Sequence, residues 1–126
     1  MRILVVDDDE HILRLYREEL EEEGYEVITA QTGAKGLELF ESENPDLVTL
    51  DILIPDVDGI TLLRRMKEMR PRVPIIMSTA YDYRDDFAVW ASEAYIVKSA
   101  DLSELKNMIR KLLGERAEKG RERDEA

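Results

Sequence analysis

Ile3-Leu4-Val5-Val6-Asp7-Asp8 opens the chain with four consecutive aliphatic residues that stop at a pair of acids. A short unbroken apolar run is what a strand covered on both faces requires, and such burial is typical of parallel sheets. Three further runs close on a polar residue: Leu47-Val48-Thr49-Leu50 at Asp51, Ile75-Ile76-Met77 at Ser78-Thr79, and Tyr95-Ile96-Val97 at Lys98. In an open parallel sheet the carboxyl ends of the strands share one edge, and ligands bind there. Carboxylates, a hydroxyl and an ammonium are therefore expected around one crevice.

Helical patterns fill the intervals. Asp9 is placed to cap a helix whose apolar positions are Ile12, Leu13, Tyr16 and Leu20, and Gly24 ends it. Tyr25, Val27 and Thr29 alternate with Glu26 and Ile28, the pattern of a more exposed strand near a sheet edge. A second helix follows Thr32-Gly33, with Leu37 and Phe40 inward, and stops before Pro45. The third strand is expected over Asp46 to Leu50, then an irregular loop broken by Pro55 and closed by Asp58-Gly59, a turn leading into the third helix.

Ile60, Leu63 and Met66 are expected on that helix's core face, and Pro71 and Pro74 bracket the turn into a fourth strand over Ile75 to Ser78. Asp82, Arg84, Asp85 and Asp86 before Phe87, Val89 and Trp90 suggest a short helix with a polar front, the two rings serving as core or partner-facing anchors. The fifth strand is Ala94 to Val97, and Asp101 or Ser103 starts a last helix with Leu102, Leu105, Ile109 and Leu112 on one face. Beyond Gly114 the chain is almost wholly charged, so one domain is expected over residues 1–113, with a charged tail over 114–126 that is helical or frayed. A βα repeat with right-handed crossovers gives an α/β three-layer sandwich. The short length favours the flavodoxin-like (βα)5 order 2-1-3-4-5, in which strands one and three are neighbours and Asp8 meets Asp51.

The 126 residues suit a single domain, and the absence of cysteine excludes disulfides and thiolate metal sites. With 29 acids against 18 bases the net charge is -11, which argues against direct nucleic-acid binding and against attraction to anionic membranes. No apolar run reaches the roughly 18 residues of a membrane span, and the N-terminus does not resemble a signal peptide. A cytoplasmic protein is expected.

Clustered carboxylates repel one another, and a hard divalent cation relieves the repulsion; Mg²⁺, or Mn²⁺, fits an all-oxygen set. A phosphoryl group arriving at this edge would meet the metal, the Lys98 ammonium and the Thr79 hydroxyl. With no evident base for hydrolysis, a carboxylate nucleophile forming an acyl phosphate is the natural chemistry. Asp9 reads as a cap only, and His11 as a solvated bystander.

Over residues 2–113 the chain resembles the receiver domains of two-component response regulators, of the stand-alone, single-domain type. The resemblance lies in Leu4-Val5-Val6-Asp7-Asp8, in Asp51 through Pro55 to Asp58-Gly59, in Ser78-Thr79-Ala80, and in Tyr95-Ile96-Val97-Lys98, all in order. It implies Asp51 as phosphoacceptor from a histidine kinase's phosphohistidine. It further implies Asp7, Asp8, Asp51 and the Leu53 backbone carbonyl around Mg²⁺, Lys98 on the phosphoryl oxygens, and Thr79 with Tyr95 as a switch pair. A module of this type passes its signal to an effector protein, or its phosphoryl group to a histidine phosphotransferase, and has no independent substrate turnover.

Three departures stand out. Ser99 follows Lys98 where the family usually has proline in a cis peptide; a cis bond to a non-proline residue costs about 3–4 kcal/mol, so a trans loop is expected. The step from Thr79 to Lys98 is shorter than in many members, which implies a short or displaced fourth helix. Leu53 and Tyr81 occupy positions that influence water access, and their bulk implies slow self-dephosphorylation. Two alternatives compete. Asp7-Asp8-Asp9 also looks like the nucleophile motif of haloacid-dehalogenase-type phosphohydrolases, with Asp7 attacking and Asp9 as acid; the other is a receiver-like scaffold that is not phosphorylated.

Overall fold

Arg2–Val6 (β1) pairs in parallel with Glu26–Ala30 (β2) on one side and Leu47–Leu50 (β3) on the other. The computed structural model describes residues 1–79, 94–97 and 101–125. Ile75–Thr79 (β4) and Ala94–Val97 (β5) complete a five-stranded sheet in the order β2-β1-β3-β4-β5. The expected order holds, with β2 at the edge.

Alternate residues of a strand face opposite sides of the sheet, and both sides here are covered. Leu4, Val6, Val48, Leu50, Ile75 and Met77 pack with Phe40 of α2 (Gly33–Glu43) and Leu62, Leu63 and Met66 of α3 (Gly59–Met69). Ile3, Val5, Leu47, Ile76 and Ile96 pack with Leu13, Tyr16 and Leu20 of α1 (Glu10–Glu22) and Leu105, Ile109 and Leu113 of α4 (Ser103–Glu125). Three layers result, as the sequence pattern implies.

Local details depart from expectation in small ways. Leu62 rather than Ile60 enters the core from α3, and Leu113 rather than Leu112 from α4; in each case the expected residue is half-buried beside it. Leu37 is likewise half-buried, whereas Phe40 is fully covered. β3 begins at Leu47, because Asp46 turns its carboxylate onto the Arg2 N–H at 2.8 Å. β4 runs one residue further than expected, to Thr79. Of the two alternatives for the charged segment, the backbone is helical through Glu125. The short helix expected around Phe87 and Trp90 lies outside the described residues.

Helix ends are tied down by recognisable chemistry. Asp9 caps α1 and Gly24, at φ 93°, carries the chain out of it. The Arg70 guanidinium donates to the Phe40 and Glu41 carbonyls at the end of α2 and lies 5.0 Å from the Phe40 ring centroid. A cation there complements the helix dipole.

α1 and α4 are joined by charge: the Lys106 ammonium donates to Glu19 at 2.6 Å and lies 3.8 Å from Glu23, which also meets Arg110 at 3.3 Å. The bond to Glu19 raises the Lys106 pKa above the usual lysine value. A raised folded-state pKa contributes stability that is fully present below the unfolded value of about 10.4 and is lost as pH rises through the folded one. Lys106→Met is therefore expected to lower the urea midpoint at neutral pH, with the gap closing in strong alkali. A gap independent of pH would show that the ammonium contributes nothing.

Candidate metal and phosphoryl site

Three successive acids after β1 have three different surroundings. The Asp7 N–H continues the β1–β2 ladder to the Ala30 carbonyl at 3.0 Å, and its side chain, only 3% exposed, accepts from the Asp9 N–H at 3.0 Å. Asp8 is exposed. The Asp9 carboxylate turns back onto the His11 N–H at 2.9 Å, and His11 itself is exposed, as expected of a cap and a bystander.

Asp51 follows β3 directly. Its N–H donates to the Val6 carbonyl at 3.0 Å, which locks the ends of β1 and β3 together. The residue is 5% exposed, and its carboxylate accepts from the Leu53 N–H at 3.1 Å. The carboxylates of Asp7, Asp8 and Asp51 thus converge, one oxygen from each lying within 4.8 Å of the others. Such a set repels itself and favours a hard cation. The donors are all oxygen, and one of the carboxylates is open to solvent, which fits Mg²⁺ with its retained waters.

The loop after Asp51 is held at its base by a bridge between Leu53 and Asp58 and by the Gly59 N–H on the Ile52 carbonyl at 3.0 Å. Asp58 caps α3 through the Ile60 N–H at 3.1 Å, the structural role expected of Asp58-Gly59. The Leu53 side chain is 48% exposed.

The register puts Thr79 opposite Val97 at the carboxyl ends of β4 and β5, and Tyr95 opposite Met77. Backbone placement thus brings Thr79 to the same sheet edge as the three acids. Lys98, Ser99, Ala80 and Tyr81 lie outside the described residues, and with them the expectations about the lysine, the trans loop and the Tyr81 ring.

Two features escaped the sequence reading. Tyr16 Oη and Ser78 Oγ share a buried hydrogen bond at 2.8 Å, across 62 positions of sequence. Asp56 binds the start of α2 from the loop after β3, with its carboxylate accepting from the Gly33 and Ala34 N–H groups at 2.8 and 2.9 Å. These bonds hold its pKa below the ordinary carboxylate value. No spacing signals a cap delivered from 22 residues away. A cleft of about 540 Å³ opens between α1, the end of β2 and the start of α2, lined in part by Arg14, Arg17 and Lys35. Its lining includes none of the three carboxylates, so this cleft and the acidic cluster are separate features.

With this geometry in place, the chain matches the response regulator receiver domain family over residues 3–110. It belongs to that family, the phosphoacceptor modules of two-component signalling. It is 35% identical over 115 residues to sporulation initiation phosphotransferase F of Bacillus subtilis, covering 89% of this chain and 93% of that protein. It is 44% identical over 85 residues to the alkaline phosphatase synthesis transcriptional regulatory protein PhoP of Bacillus subtilis, covering 68% of this chain but only 35% of PhoP. The chain spans 25% and 50% of the length of two further curated regulators.

Among solved structures, the response regulator TrrA of Thermotoga maritima in complex with Mg²⁺ and BeF is 46% identical, with a TM-score of 0.85 over 88% of this chain and 97% of that one. TrrA in complex with the histidine kinase ThkA superposes with a TM-score of 0.84 over 89% of this chain and 97% of TrrA, at 46% identity. The phosphohydrolase alternative falls on the family match, which covers residues 3–110.

Proposed function

We propose that Asp51 is the phosphoacceptor, taking a phosphoryl group from the phosphohistidine of a histidine kinase. The carrying observation is the convergence of Asp7, Asp8 and Asp51 at the ends of adjacent strands. An Asp51 carboxylate oxygen bonds to phosphorus as the donor's phosphorus–nitrogen bond breaks, leaving an acyl phosphate. Asp7, Asp8, Asp51 and the Leu53 carbonyl are the residues that would hold Mg²⁺ or Mn²⁺. When bound there, the cation neutralises charge on the phosphoryl oxygens. Lys98 contacts those oxygens from the other side, and Thr79 and Tyr95 convert the new charge into a changed interaction face.

The domain occupies residues 1–113, with 114–126 as a charged extension, and works in the cytoplasm without independent substrate turnover. Its outlet is an effector protein or a histidine phosphotransferase rather than nucleic acid or membrane. The net charge of -11 supports the exclusion of nucleic acid. Among the described residues no helix is long and apolar enough to cross a membrane.

Incubation with acetyl phosphate and Mg²⁺, read by intact mass, tests the reading. One phosphoryl group is expected with Mg²⁺ and none once the metal is chelated; uptake indifferent to chelation contradicts it. The apolar bulk of Leu53, whose N–H binds the Asp51 carboxylate, supports slow loss of that group by limiting water access. A lifetime of seconds in the purified protein would count against the shielding, and Leu53→Asn is expected to shorten whatever lifetime the parent shows.

A further inference from the structure

We propose that Asp56 is a positioning residue for the metal edge, strapping the loop after β3 to the first turn of α2 so that Leu53 and Asp51 are held in register with Asp7 and Asp8. The inference deepens the Asp51 reading and rests on it.

The first N–H groups of a helix have no partner within it. In α2 the Thr32 hydroxyl accepts from the Lys35 N–H at 3.1 Å, which leaves the donors of Gly33 and Ala34. Asp56 serves both, one carboxylate oxygen to each, at 2.8 and 2.9 Å. Hydrogen bonds to an ionised acceptor are stronger than neutral ones, and a helix N-terminus favours negative charge. The depressed pKa of Asp56 fits that picture, since both bonds favour the charged form.

The strap is reinforced by packing. A Cβ placed on Gly33 would lie 3.0 Å from Ile54 Cδ1, 3.1 Å from Val57 Cβ and 3.3 Å from Asp56 Oδ1, so the loop is fitted closely against the helix start. One turn on, the same helix meets β1: a Cβ on Gly36 would lie 2.9 Å from Val6 Cγ2. Val6 immediately precedes Asp7, and its carbonyl receives the Asp51 N–H. The first turn of α2 therefore touches both segments that supply the acidic cluster, and Asp56 is the polar link to one of them. A plain cap would stabilise α2 and nothing else. A strap also restrains Leu53, three residues before it, and through Leu53 the Asp51 carboxylate that accepts its N–H.

The test compares the full chain with Asp56→Ala and Asp56→Asn by two readouts besides melting temperature. These are Mn²⁺ affinity from electron paramagnetic resonance, and the Mg²⁺ concentration giving half-maximal phosphorylation by acetyl phosphate. Partners behind a metal's own ligands are worth about tenfold or more in affinity, so Asp56→Ala is expected to weaken Mn²⁺ binding and raise half-saturation about tenfold. The rate at saturating Mg²⁺ should stay near that of the parent. Asp56→Asn, which keeps one carbonyl oxygen as acceptor, should recover part of the loss. A lower melting temperature with metal dependence within about twofold of the parent would reduce Asp56 to a helix cap and overturn the proposal. If Asp56→Ala does not fold, Asp56→Asn decides by the same two readouts. A parent that binds Mn²⁺ but takes no phosphoryl group sinks the Asp51 reading alone, because the Mn²⁺ comparison still judges the strap.

Discussion

Asp51→Asn is expected to cut phosphoryl incorporation from acetyl phosphate by at least about a thousandfold, the scale on which loss of a nucleophile is felt. The change is nearly isosteric. A side-chain oxygen remains to accept the Leu53 N–H, now 3.1 Å from Asp51 Oδ1, and the backbone bond from residue 51 to the Val6 carbonyl is untouched. The sheet and the loop should therefore persist, while the amide has no charged oxygen to offer phosphorus. Asp7 and Asp8 stay in place, which makes the variant a test of which acid reacts. Intact mass followed by peptide mapping reads the outcome. Undiminished uptake, or a phosphoryl group mapped to the segment holding Asp7, removes Asp51 from its role.

Gly59→Ala carries the largest expected cost in stability, about 3 kcal/mol, at the upper end of overpacking effects. A Cβ at position 59 would lie 2.4 Å from the Asp51 carbonyl oxygen, 2.6 Å from Ile52 Cα and 2.7 Å from the Ile52 carbonyl oxygen. All three are backbone atoms, so no side chain can rotate away. The start of α3 must move from the end of β3, breaking the 3.0 Å bond between the Gly59 N–H and the Ile52 carbonyl and shifting Asp51. Urea unfolding of the variant measures the loss, and its phosphorylation rate should fall as well. A stability within about 0.5 kcal/mol of the parent, the range of ordinary surface changes, would mean the close approach is not needed.

Much of this architecture was legible because the strands are buried on both faces. Ile3 to Val6 and Ile75 to Met77 admit few readings besides interior strands, and the polar residues that end the runs mark one sheet edge. The convergence of Asp8 with Asp51 followed from the strand order alone. What sequence periodicity resolves less well is the phase of a helix. Ile60 and Leu62, or Leu112 and Leu113, flank the same buried stripe, and tertiary packing decides which of them turns inward. Hydrogen bonds between distant segments are hidden for a different reason. The Tyr16–Ser78 pair and the Asp56 strap depend on how closely elements approach, which residue type and spacing do not encode.

The structure of the chain with Mg²⁺ and beryllofluoride measures the central claim most directly. The expected result is beryllium bonded to an Asp51 carboxylate oxygen, the metal held by Asp7, Asp8, Asp51 and the Leu53 carbonyl, and the Lys98 ammonium against a fluoride. Beryllofluoride absent from Asp51, or seated on Asp7 with Lys98 turned away, contradicts it.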